Sequence, residues 1–159
     1  MTLIDPGKKA PAFSLKDQDG KTHRLADYAG RPVVLYFYPK DDTPGCAAES
    51  CGFRDILPTF KTKKAAVLGV SILDEASKAR FAAKYGLTFP LLADEDHVVA
   101  GKYGVWQKKS LYGRSFMGLV RTTYLIGGDG RVVQRWDKVK VDGHAEAVLA
   151  AVDSIGKKS

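Results

Sequence analysis

The sequence predicts an α/β fold in which a central mixed β-sheet is flanked by helices. Residues 33–38 and 65–72 are continuous runs of β-branched and other apolar side chains, which is typical of strands buried on both faces. Residues 122–126 and 131–136 flank the glycine-rich segment 127–130, and this pattern predicts a β-hairpin. Two buried strands joined by a helix favour parallel pairing, and the hairpin adds antiparallel strands, so the sheet should be mixed.

The other elements follow in chain order. Residues 12–15 and 21–25 flank a polar turn and predict an N-terminal β-hairpin. A helix is expected over residues 43–57, and Pro58 should end or kink it because proline lacks a backbone donor. The remaining expected elements are a helix at 77–85 capped by Gly86, a strand at 89–92, a helix at 94–103 and a closing amphipathic helix at 143–155.

Length and composition indicate a single domain over residues 1–159, with 45% hydrophobic residues. No apolar run approaches the ~20 residues of a membrane helix, and residues 1–6 do not resemble a signal peptide. We therefore expect a cytoplasmic protein without a membrane partner, although removal of a targeting peptide stays open. The net charge of +7 comes from short lysine groups separated by acidic residues, so no nucleic-acid partner is expected.

The two cysteines, Cys46 and Cys51, lie close together in the chain. Two cysteines do not form a disulfide scaffold for a protein of this length, and their spacing points to redox chemistry or metal binding. The three histidines His23, His97 and His144 have no zinc-ligand spacing to the cysteines. The chain also lacks a glycine-rich nucleotide motif, so neither a metal nor an organic cofactor is expected.

The chain around Cys46 has the features of a helix start. Thr43 is a good N-cap residue, and Pro44 suits the first helical position because its missing donor costs nothing there. Cys46 then falls at the third helical position, where unpaired backbone N–H groups and the helix dipole favour thiolate over thiol. A nearby arginine would act in the same direction.

Cys51 lies five residues beyond Cys46, which is too far for a disulfide on a regular helix. Five residues advance ~7.5 Å along the axis and turn ~500°, which separates the two Cα atoms by roughly 8.6 Å. A disulfide requires at most ~7 Å between the Cα atoms. Either the helix unwinds locally or the pair never bonds, and we predict unwinding in the first turns, where Gly45 weakens the helix.

Several segments together resemble peroxiredoxins of the bacterioferritin comigratory protein (PrxQ) type. The most specific is Tyr-Phe-Tyr-Pro-Lys-Asp-Asp-Thr-Pro-Gly-Cys at residues 36–46, and segments 8–15, 51–55, 103–106 and 118–126 extend the likeness over nearly the whole chain. The resemblance implies a thioredoxin-like fold, a monomer, and a thiol-dependent peroxidase that reduces hydrogen peroxide and organic hydroperoxides. The pair Gly127-Gly128 departs from the aspartate-containing turn of the family, and we expect this to affect only the loop.

The resemblance also implies residue roles. Cys46 matches the peroxidatic cysteine, which attacks the peroxide and becomes a sulfenic acid. Thr43 matches the hydroxyl that binds the peroxide, with Gly45 beside it, and Pro39 matches the residue that walls the pocket. Arg121 matches the arginine that stabilises the thiolate and the transition state. The reaction requires donors to the leaving oxygen, and these residues can supply them.

Cys51 matches the resolving cysteine of relatives that carry it in the same helix. The resemblance implies a Cys46–Cys51 disulfide that thioredoxin or a similar dithiol protein reduces. The alternative of a thioredoxin-like thiol–disulfide oxidoreductase would require two residues between the cysteines, whereas this chain has four.

Some side-chain roles stay open at this point. Cys51 could be a packing residue, Arg121 a surface ion-pair partner and Thr43 a plain cap. Glu49 could contact Arg121 or lie on a solvated helix face. Trp106 and Tyr112 are expected to be packing residues.

Overall fold

Nine strands form two sheets within residues 2–156, the part of the chain that the computed structural model describes. Met1 and residues 157–159 of the predicted domain lie outside it. The larger sheet has seven strands in the order β2-β1-β5-β4-β3-β8-β9, and β6 and β7 pair separately. The strands are β1 Ser14–Lys16, β2 Thr22–Arg24, β3 Val33–Phe37, β4 Ala66–Ser71, β5 Leu91–Ala93, β6 Trp106–Leu111, β7 Arg114–Leu119, β8 Thr122–Ile126 and β9 Val132–Trp136.

The helices pack against the larger sheet. They are α1 Pro44–Asp55, α2 Leu57–Thr62, α3 Glu75–Tyr85, α4 Val98–Lys102 and α5 His144–Gly156. The helix predicted to end or kink at Pro58 is interrupted two residues earlier, at Ile56, and Pro58 lies in the first turn of α2. Gly86 caps α3 in the left-handed conformation, as the sequence predicts. Within residues 2–156, none of the helices is long and apolar enough to cross a bilayer.

Strand β3 is the centre of the sheet and of the core. It pairs in parallel with β4 and antiparallel with β8, which confirms the predicted mixed sheet. All five of its residues are buried, and they alternate between two apolar clusters on opposite faces. One cluster includes Val34 and Tyr36 with side chains of α1, α2, α3 and α5, and the other includes Leu35 and Phe37.

The N-terminal hairpin is confirmed, because β1 and β2 pair antiparallel and β1 joins the larger sheet beside β5. The helix predicted at 94–103 is much shorter, because residue 97 adopts a left-handed backbone (φ 51°) and α4 starts only at Val98. The Asp94 carboxylate accepts hydrogen bonds from the amides of Val99 and Ala100, so it caps the start of α4 from outside the helix.

The β6–β7 hairpin has no counterpart among the predicted elements. Its strands are rich in exposed polar and basic residues, so they carry no buried apolar run that would mark a strand. Trp106 packs against His97, with ring centroids 4.2 Å apart. Tyr112, at the turn of the hairpin, is 95% exposed, so its expected packing role was wrong.

Candidate active site

The register of two central strands brings the chemistry-bearing residues together. Phe37, the last residue of β3, lies opposite Thr122, the first residue of β8. Since the strands are antiparallel, Arg121 emerges at the same edge of the sheet as the loop that leaves β3. That loop runs over residues 38–43 and starts α1, so Arg121 meets the first turn of this helix although it is 75 residues from Cys46.

The start of α1 is as the sequence predicts. Thr43 occupies the N-cap position with an extended backbone (φ −91°, ψ 153°), Pro44 begins the helix, and Cys46 is the third helical residue. The Thr43 side chain makes no cap bond, because its Oγ1 turns back and donates to the Lys40 carbonyl at 3.1 Å. The amides of the first turn are therefore left without the capping hydroxyl, and the sulfur of Cys46 lies at this positive end of the helix.

Arg121 joins Cys46 to Glu49. Its Nη2 donates to the buried Cys46 Sγ at 3.1 Å, and its Nη1 donates to Glu49 Oε1 at 2.6 Å. A Cβ on Gly45 would lie 3.2 Å from Nη2, so the absence of a side chain at this position lets the guanidinium approach the helix. Arg121 is thus not a plain surface ion-pair partner.

Glu49 is buried, with 1% of its side chain exposed, so the solvated helix face is the wrong alternative. Burial raises the pKa of Glu49 to about 7, against the opposing effect of Arg121. Burial disfavours the charged form of Arg121 too, but Glu49 and Cys46 more than offset this and raise its pKa. One guanidinium therefore faces two acidic groups, and it stabilises a negative charge on either.

His144 lies on the other side of Glu49. Its Nε2 is 2.8 Å from Thr123 Oγ1 and 4.0 Å from Glu49 Oε2. Burial, aided by Arg121, lowers the pKa of His144 to about 4, so the ring is neutral near pH 7. Among residues 2–156, Glu49 Oε2 has no hydrogen-bond donor, so this oxygen is a natural place for a proton when Glu49 is neutral.

Cys51 lies in the same helix as Cys46, one and a half turns further on. It is half-buried, and both cysteines are free thiols. The continuous helix agrees with the inference that this pair cannot bond in place. The unwinding that a disulfide would require stays a prediction.

The remaining candidate, Pro39, is half-buried in the loop between β3 and Thr43. Two further neighbours, His144 and Lys109, were not indicated by any sequence pattern. Lys109 lies on β6, with its aliphatic carbons close to Gly118. Burial lowers its pKa, Arg121 adds to this effect and Cys46 opposes it, which places this second cation within the electrostatic reach of the site. This electrostatic influence comes from the β6–β7 hairpin, which the sequence analysis did not predict.

Comparison with known proteins gives consistent matches along the chain. The AhpC/TSA family matches residues 6–135. Peroxiredoxin Bcp of Bacillus subtilis is 41% identical over 155 residues, which is 98% of this chain and 99% of the relative.

Solved structures match at similar identity. The bacterioferritin comigratory protein of Xanthomonas campestris, described in trapped intermediate and ligand complexes that concern alkyl peroxide reduction, superposes with a TM-score of 0.89 at 41% identity. The match covers 94% of this chain and 98% of that one. A cysteine-to-serine mutant of Xylella fastidiosa PrxQ gives a TM-score of 0.92 at 37% identity, covering 98% and 99% of the two chains.

Proposed function

The chain belongs to the AhpC/TSA family and is a peroxiredoxin of thioredoxin-like fold, and we propose that Cys46 is the thiolate that attacks the peroxide. The observation that carries this proposal is the 3.1 Å contact from Arg121 to the sulfur, at the third position of a helix. A guanidinium and a helix N-terminus both favour thiolate over thiol, and thiolate is the nucleophilic form. Cys51 lies in the interior of α1, away from its first turn, and the Arg54 guanidinium near it donates to Asp55 and to the Tyr85 carbonyl.

The first step is a displacement at the O–O bond. The Cys46 thiolate forms an S–O bond to one peroxide oxygen, the O–O bond breaks, and the other oxygen leaves as alkoxide or hydroxide that takes up a proton. The sulfur is oxidised by two electrons to a sulfenic acid, and the peroxide is reduced to an alcohol or water. No metal or organic cofactor takes part in this balance.

The neighbouring residues bind the peroxide and stabilise the developing charge. Arg121 lies beside the sulfur and can donate to the peroxide as negative charge builds up on the leaving oxygen. The Thr43 hydroxyl, which donates its proton to the Lys40 carbonyl, can accept a hydrogen bond from the peroxide, and the first-turn amides near Gly45 supply further donors. Pro39 walls the loop side of the pocket. The substrates proposed are hydrogen peroxide and organic hydroperoxides.

The second step joins the two cysteines. The Cys51 thiol attacks the sulfenic sulfur, an S–S bond forms and water leaves. Since a regular helix separates the two Cα atoms by roughly 8.6 Å, α1 must unwind before this bond can form. Thioredoxin or a similar dithiol protein then reduces the disulfide. In our proposal the chain acts as a monomer, as one domain over residues 1–159, in the cytoplasm.

The assay is peroxide consumption in the presence of thioredoxin, thioredoxin reductase and NADPH. Cys46→Ser should abolish turnover, and retention of full turnover would overturn the proposal. Cys51→Ser should leave the first peroxide reaction intact and impair recycling by thioredoxin. A Cys51→Ser variant that turns over at the wild-type rate would remove Cys51 from the cycle.

A further inference from the structure

A buried ion pair lies beneath the loop that leads to Cys46. Lys78 of α3 has a fully buried side chain, and its Nζ lies 3.3 Å from both carboxylate oxygens of Asp41. The same carboxylate accepts hydrogen bonds from the Tyr38 hydroxyl at 2.6 Å and the Ser77 hydroxyl at 2.7 Å. Lys78 Nζ also donates to Ser71 Oγ at the end of β4. Two charges and three hydroxyls thus form one buried network.

Stability alone is a weak reason for such a pair. Removing an ammonium and a carboxylate from water costs much of what their attraction returns, and apolar residues of similar volume often serve as well. Burial lowers the pKa of Lys78, and Asp41 opposes this effect. The pair does provide a fixed geometry, because Asp41 is held by donors from three different elements: the loop after β3, the end of β4 and α3.

Asp41 lies within the loop that sets the first turn of α1. Its neighbour Lys40 offers the carbonyl that accepts the hydrogen bond from Thr43 Oγ1. Its other neighbour, Asp42, has a left-handed backbone with φ 59°, a conformation that non-glycine residues rarely adopt. The Asp42 carboxylate accepts hydrogen bonds from Lys84 and Tyr85, at 2.9 and 2.7 Å, near the C-terminus of α3.

We propose that Lys78 is a positioning residue, which acts through Asp41 to fix the loop backbone at residues 40–42 and thereby the Thr43 hydroxyl and the first turn of α1. The contacts run from Lys78 Nζ to the Asp41 carboxylate, along the backbone to the Lys40 carbonyl, and from there to Thr43 Oγ1. Lys78 touches no reacting atom in this account. The inference rests on the proposed function, since it assigns the loop's geometry to the peroxide reaction of Cys46.

The test compares Lys78→Met with Lys84→Met. Both variants replace one α3 lysine that pairs with a loop aspartate, but Lys84 is 58% exposed and Lys78 is buried. Stopped-flow kinetics should show the first peroxide reaction of Lys78→Met slowed about tenfold, because misplaced reacting groups lose rate steeply with distance. The surface control should stay within about twofold of wild type.

A second readout separates positioning from stability. Displacement of the first turn takes its amides away from Cys46 Sγ, so the pH profile of the peroxide reaction in Lys78→Met should move to higher pH. A lysine that only stabilised the fold would lower the melting temperature without moving this profile. A folded Lys78→Met protein with the wild-type rate and pH profile would overturn the proposal.

If Lys78→Met does not fold, Ser77→Ala tests the same positioning role of the Asp41 network. It removes one hydroxyl donor from Asp41 and leaves the ion pair in place. We expect about threefold slower peroxide reduction from the loss of one hydrogen bond, and an unchanged rate would overturn the proposal. Failure of the proposed function would look different, because the wild-type protein itself would then show no Cys46-dependent peroxide reaction.

Discussion

Replacement of Arg121 by methionine should slow the first peroxide reaction strongly. The change removes the 3.1 Å hydrogen bond to Cys46 Sγ, and only 16% of the arginine side chain is exposed, so water replaces the contact poorly. A hydrogen bond to a charged group contributes about 1.5–3 kcal/mol, which corresponds to a rate about 10- to 150-fold lower. Stopped-flow mixing of the reduced protein with hydrogen peroxide measures this step apart from recycling.

The same variant also leaves the buried Glu49 without the guanidinium. Arg121→Met should therefore lose stability, because removal of one partner from a buried pair leaves an uncompensated acid. The matched control is Arg121→Met with Glu49→Gln, which replaces the acid by an amide. We expect the double variant to regain stability and to keep the slow peroxide reaction. A single variant within about twofold of the wild-type rate, or a double variant with the rate restored, would refute the role given to Arg121.

Two further predictions concern the same site. Since burial raises the pKa of Glu49 from 4.5 to about 7, the unfolded chain ionises first as the pH rises. The contribution of neutral Glu49 to the free energy of unfolding is therefore complete below pH 4.5 and is lost as the pH rises through 7. Denaturant titrations should show wild type losing roughly 3 kcal/mol relative to Glu49→Gln over this range, and parallel curves would contradict it. Gly45→Ala places a Cβ 3.2 Å from Arg121 Nη2, so the peroxide step should slow. Alanine also favours the helix over glycine by about 1 kcal/mol, so disulfide formation, measured by quenched flow, should slow about fivefold because α1 is harder to unwind. Faster disulfide formation in Gly45→Ala would contradict this prediction.

Local features of the sequence were enough to predict the start of α1. An N-cap residue followed by proline fixes a helix start through interactions within a few residues, and Cys46 lies at the predicted third position. The central sheet was predictable for a similar reason, since short continuous runs of β-branched and other apolar residues are typical of strands buried on both faces.

Contacts between distant segments could not be predicted in this way. The pairing of Phe37 with Thr122 determines where Arg121 emerges, and the physical pattern of the sequence does not specify that register. Only the family resemblance pointed to Arg121. Glu49 and Lys78 would by composition lie in water, and both are buried because each finds an oppositely charged partner from another segment. The β6–β7 hairpin, which brings Lys109 to the site, buries little apolar surface and leaves no clear pattern.

The proposed cycle requires α1 to open between the peroxide reaction and disulfide formation. This opening is tested most directly by amide hydrogen exchange of peptides covering residues 44–55, compared between the reduced protein and the protein oxidised with one equivalent of peroxide. Oxidation to the Cys46–Cys51 disulfide should remove protection from the first turns of α1 and leave the central strands β3 and β4 protected. A disulfide-bonded protein in which α1 exchanges as slowly as in the reduced form would contradict it.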